Sequence, residues 1–161
     1  MEGMKDSMKQ TLNTFGIMEF LYALLELKKA GLYEEMISSE MEDRFKEILN
    51  WKVFIHERTL SFRRDRANNY YGVAFRIAML REYFGWDDKA YSSVFLERIL
   101  RNTGLNTEER LYMDETNGSG RYDKYSLTIA AEVMEPYLVL DLPVPERVMD
   151  LHKSAVEVLV H

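Results

Sequence analysis

The residues best suited to chemistry lie in one stretch, Met113 to Ser126, read MDETNGSGRYDKYS. It sets Asp114, Glu115, Arg121, Tyr122, Asp123 and Tyr125 around a turn with Gly118 and Gly120. Polar loops held on rigid elements are where sites commonly sit. Tyr122 or Tyr125 could move a proton if a neighbouring cation lowered its pKa, and Arg121 could supply that cation or grip a carboxylate with two bonds. The glycines would let backbone approach a ligand. No Walker lysine and serine follow them, so phosphate binding has little support. A plainer reading also stands: Asp123 precedes an apolar helix and could simply cap it, with Tyr125 packing inward.

A second constellation is RRDRANNYYG, residues 63–72. Arg63, Arg64 and Arg66 precede Asn68, Asn69, Tyr70 and Tyr71 at a helix start, where anions are favoured. A sugar needs amides and guanidinium groups for its hydroxyls and carboxylates, and aromatic faces for its C–H surface. Asn68, Asn69, Tyr71 and Arg66 are the candidates for that role. On the expected helix Asn69, Gly72 and Arg76 share one face, and Tyr70, Val73 and Ile77 another. The bland alternative is an exposed basic connector and an amide cap.

Elsewhere the chemistry is sparse. His56, His152 and His161 show no HExxH spacing, so no metal is expected. No motif calls for a cofactor. Tyr83, Phe84, Trp86 and Tyr91 surround Gly85 and are expected to staple two helices in the core. The ten methionines read as core filler.

The elements that would position these residues are helical. Of 161 residues 47% are hydrophobic and 30% charged, a globular balance for one domain spanning residues 1–161. The net charge of −6 argues against general nucleic-acid binding. There is no cysteine, which removes disulfides, thiolate metal sites and cysteine nucleophiles. The polar start shows no signal peptide, and no apolar run nears the ~20 residues of a membrane helix, so a cytoplasmic location is expected.

Apolar spacing predicts a helix over residues 8–30, stopped by Gly31. Next come helical residues from Tyr33 and a capping box of Ser39 with Glu42, as one bent helix or two short ones. Residues 51–62 are the least helical and read as an extended connector or short hairpin. Asn68 or Asn69 should cap a helix to Phe84, and Asp87 or Asp88 the next, which stops at Gly104. A long loop over residues 105–123 precedes a helix to about Leu140, which Pro136 should kink or shorten. Pro145 suits the first position of a last helix to Val160. That helix is still amphipathic at His161, so the pattern looks cut off.

Three stretches, RRDRANNYYGVAFRIAMLREYFGW, YMDETNGSGRYDKYSLTIAAE and PVPERVMDLHKSAVEVLV, together resemble part of the helical-toroid domain of carbohydrate-active proteins, including heparinase-type polysaccharide lyases. The resemblance runs from about Arg58 to His161. It implies an all-α fold of antiparallel helical hairpins forming a partial (α/α) toroid, with a substrate cleft made by inter-helix loops. It further implies a lyase-like or glycosidase-like activity on an acidic saccharide. Asn68 or Asn69 would neutralise the uronate carboxylate, Tyr122 or Tyr125 would be acid or base, and Asp123 would orient them. Two departures are visible. The lyases set a histidine beside the tyrosine, and the loop stretch has none. A full ring also needs more helix pairs of roughly 40–47 residues each. The chain is therefore expected to be a partial domain, completed by a second chain or a second copy, or else a non-catalytic helical interaction module.

Overall fold

A computed structural model describes residues 14–64, 69–104 and 124–160 of the chain. All the regular structure in them is helical, apart from one isolated bridge. They fall into two compact units, Met1–Arg63 and Arg64–His161.

The first unit holds α1 (Thr14–Lys29), α2 (Tyr33–Met36) and α3 (Ser39–Ile48). Along α1 the buried residues are Thr14, Ile17, Met18, Leu21, Leu24 and Leu25, the 3–4 spacing of a helix with one covered face. Residues 8–13 of the expected first helix lie outside the described residues. The Gly31 N–H bonds to Lys28 O and the Leu32 N–H to Leu27 O, a Schellman closure that ends α1 at the expected glycine. Of the two arrangements left open for the next stretch, two short helices form. The cap of α3 is Ser38 rather than Ser39: the Met41 N–H donates to Ser38 Oγ at 3.2 Å. Phe20 of α1 and Phe45 of α3 meet edge to face at 5.2 Å. The Tyr33 hydroxyl is pushed up to about 12 by burial first, then by the carboxylates of Glu42 and Glu34.

Residues 51–62 are a 3-10 turn, Trp51–Val53, and a tight reversal with a single antiparallel bridge between Ile55 and Phe62. Of the two readings left open, the extended connector does not hold, since Trp51–Val53 coils, and the hairpin is reduced to one bridge. Trp51, Phe54 and Ile55 are buried there.

The second unit holds α4 (Tyr70–Tyr83), α5 (Tyr91–Gly104), α6 (Lys124–Val139) and α7 (Glu146–Val160). The spacing predicts one apolar stripe on α4, but every residue from Tyr71 to Arg81 is buried. Such a helix is wrapped on all sides rather than laid on a surface. α4 packs on both α5 and α6, and α6 packs on α7. Tyr71 faces Arg98, and Glu82 faces Ser92, so α4 and α5 run antiparallel. Ala130 of α6 clusters with Leu151 and Ala155 of α7, flanked by Leu100 and Leu127.

Three expectations about helix ends change. Asn69 is already helical, at φ −57° and ψ −23°, and makes no capping bond, so it does not cap α4. Nor does Asp87 or Asp88 cap α5. The Glu82 carboxylate takes the Ser92 N–H at 2.8 Å and its hydroxyl at 2.6 Å, while Asp87 accepts from Arg81. α6 runs three residues beyond Pro136, which therefore does not shorten it. Proline removes one N–H bond but leaves the next turn intact, and the Leu140 N–H still reaches Pro136 O. Gly85 does end the α4 segment as expected, at φ +69°, with the Trp86 N–H closing on Arg81 O.

Candidate functional site

The face of α4 carrying Asn69, Gly72 and Arg76 lies against α6. A Cβ on Gly72 would strike Ile129 Cδ1 and stand 2.8 Å from Glu132 Oε2. One turn further, Arg76 forms an ion pair with Glu135. Phe75 meets Tyr137 at 6.0 Å between ring centres. Later residues of α4 thus meet later residues of α6, so the two helices are parallel. Their first turns lie at the same end of the unit. Counting one turn back from Gly72 sets Asn69 level with the opening turns of α6, which contain Tyr125.

The seam between these helices is polar and mostly enclosed. Asn69 is 5% exposed, and the Arg76 side chain 10% against 42% for its partner Glu135. A buried guanidinium is tolerable only with a carboxylate beside it. Tyr71 is 3% exposed, and the Arg98 guanidinium lies 4.4 Å over its ring. Burial raises the Tyr71 pKa; the Arg98 charge and its hydrogen bond pull the other way. Tyr137 is also raised, by burial and then by Glu82. Both phenols therefore stay protonated at neutral pH and do not serve as bases, and Tyr71 accepts the Arg98 hydrogen bond.

Of the sequence-derived residues, Asn69 and Tyr71 are described and sit at the start of α4. Tyr125 falls in the first turn of α6. Arg66, Asn68, Arg121, Tyr122 and Asp123 lie outside the described residues, as do the loop over residues 105–123 and His161. Arg63 and Arg64 are exposed. His56 is exposed and His152 half-buried. Among the described residues no group of His, Cys, Asp and Glu gathers as metal ligands would, and no helix is long and apolar enough to cross a membrane.

Sequence reasoning passed over Glu132, Glu135, Glu82 and Arg98. Glu132 and Glu135 look like solvated residues on an otherwise apolar helix. Their spacing of three does put them on one face, and a buried arginine opposite was the missing half of the signal. The aromatic group around Gly85 is placed differently from expectation. Tyr83 is 44% exposed, Phe84 and Trp86 are half-buried, and the last two stack at 5.0 Å. Of the four only Tyr83 is at the surface; Tyr91, like Phe84 and Trp86, is half-buried, and Trp86 lies 5.7 Å from the buried Arg81 guanidinium.

Comparison of the chain with family models, with curated proteins and with solved structures finds no match.

Proposed function

We propose that the chain is a carbohydrate-active helical domain of the partial-toroid type, working in the cytoplasm, that binds or cleaves an acidic saccharide at the end where α4 and α6 begin. The observation that supports this reading is the parallel pairing of α4 and α6. It brings Asn69 level with the helix start that holds Tyr125, and Arg121, Tyr122 and Asp123 immediately precede that helix in sequence. Two helix N-termini at one end also favour an anionic ligand.

In a lyase-like reaction Asn68 would hold the uronate carboxylate, with Arg66 and Arg121 gripping its charge, while Asn69, 5% exposed, would back that wall from inside the helix seam. A tyrosinate at Tyr122 or Tyr125 would take the C5 proton. The electron pair would form the C4–C5 double bond as the C4–O bond breaks, and a tyrosine hydroxyl would protonate the leaving oxygen. Asp123 would orient these groups. Tyr71, enclosed and protonated, would support the wall of the site.

Incubation with uronate polymers tests this. The expected result is growing ultraviolet absorbance from the unsaturated product, with turnover lowered on the order of a hundredfold or more in Tyr125→Phe. Absence of both absorbance and calorimetric binding of uronate oligomers would overturn it.

One observation favours the alternative, a non-catalytic helical module that pairs with another chain or itself. α7 buries Val148, Leu151 and Ala155 yet also exposes Met149, Val156 and Val160 along a second line. Light scattering separates the two readings: a strict monomer at high concentration counts against self-pairing.

A further inference from the structure

We propose that the first unit binds a basic amphipathic helix of another protein, on an apolar strip shared by α1 and α3. The inference goes beyond the saccharide reading and does not rest on it. Met41, Phe45 and Ile48 follow at spacings of four and three, so they share one face of α3. A helix patterned in this way normally buries that face. Here every residue of α3 is at least partly exposed, Met41 at 41% and Ile48 at 42%. The strip continues onto α1. Phe45 meets Phe20, itself 42% exposed. Gly16 and Ala23 stand four before and three after Phe20, on the same side of α1. A Cβ on Gly16 would meet nothing within 4 Å, and Ala23 is exposed, so this side of α1 is open beside the Phe20 ring.

Exposed apolar surface rimmed by polar residues marks a place where another chain lies. The rim says which kind of chain. α3 carries Glu40, Glu42, Asp43 and Glu47 against Arg44 and Lys46, and Lys46 is already engaged by Glu42 and Asp43. Glu19 adds an exposed carboxylate beside Phe20. A second copy would set these carboxylates against their own kind, and an anionic membrane surface would repel them. A helix with an apolar face flanked by lysines or arginines satisfies both strip and rim. Such helices dock through anchors one and two turns apart, the spacing that Met41, Phe45 and Ile48 offer in return.

The test uses the full chain and a synthetic leucine–lysine peptide whose leucines fall on one helical face, with fluorescence anisotropy giving the Kd. The same peptide in shuffled order keeps the charge and loses the face. Circular dichroism checks that each variant is folded. The patterned peptide is expected to bind, and the shuffled one on the order of tenfold or more weaker. Met41→Ser with Ile48→Ser is expected to weaken the patterned peptide by on the order of tenfold or more. Val156→Ser removes an equally exposed apolar residue from α7, 42% exposed, and should bind like the natural chain. Glu40→Lys with Glu47→Lys should lose the leucine–lysine peptide and gain its leucine–glutamate counterpart. No binding of the patterned peptide overturns the proposal. So does equal binding of the shuffled peptide, which would mean charge alone, or equal weakening in Val156→Ser. A natural chain that sediments as a dimer, separated by Met41→Ser with Ile48→Ser, also overturns it and assigns the strip to a second copy.

Discussion

Asp87→Ala is expected to destabilise the second unit by about 3–5 kcal/mol, the range for breaking a buried ion pair from one side. Arg81 and Asp87 are 3% and 5% exposed at their side chains and joined by two bonds of 2.9 Å and 2.8 Å. Arginine cannot shed its proton to escape burial. Removing the carboxylate takes both of these charge-assisted bonds from a buried guanidinium that also lies 5.7 Å from the Trp86 ring. The pair also closes the turn at Gly85, so the α4–α5 hairpin loosens with it. Arg147 and Glu97 offer the contrast. They are bonded at 2.6 Å but about half exposed, and Arg147→Ala should cost no more than about 1 kcal/mol. Urea denaturation midpoints of the two variants test the difference. Equal shifts would show that the Arg81–Asp87 pair is not insulated from water.

Phe75→Ala is expected to cost about 3–5 kcal/mol, through lost transfer energy and the cavity left behind. Phe75 is fully buried at the middle of α4, the helix enclosed on all sides, and its ring lies 6.0 Å from that of Tyr137. A helix wrapped in this way has no solvent side toward which neighbours could relax. Leu138→Ala, at a residue 63% exposed on α6, should change stability by no more than about 0.5 kcal/mol. The comparison is made by guanidinium unfolding followed by far-ultraviolet dichroism. A cost for Phe75→Ala no larger than that for Leu138→Ala would refute the account of α4 as the central element.

The helices were legible in the sequence because helix formation is local. The 3–4 spacing of Ile17, Met18, Leu21, Leu24 and Leu25 marks α1, and Gly31 and Gly85 end helical segments where a positive φ is needed. Capping was read less well. Asn69, Asp87 and Ser39 all have the right chemistry for a cap. The bonds go instead to Glu82 and Ser38, and Asn69 is already within helical backbone. A cap depends on which acceptor reaches the free N–H groups first, and a glutamate on the preceding helix is invisible to a local rule.

By itself the sequence determined that this is an α-helical chain, without disulfides, whose amides, tyrosines and arginines concentrate near the starts of two helices. Only the tertiary structure decided that these two helices run parallel. Only it decided that Gly72 is where they touch, and that Arg76 and Arg81 are interior residues held by Glu135 and Asp87. Helix periodicity arises from bonds four residues apart and is written into neighbouring residues. The burial of a charge depends on a carboxylate that can lie six residues away, as Asp87 does from Arg81, or fifty-nine, as Glu135 does from Arg76. That pairing is an outcome of packing, and no single stretch of the chain records it.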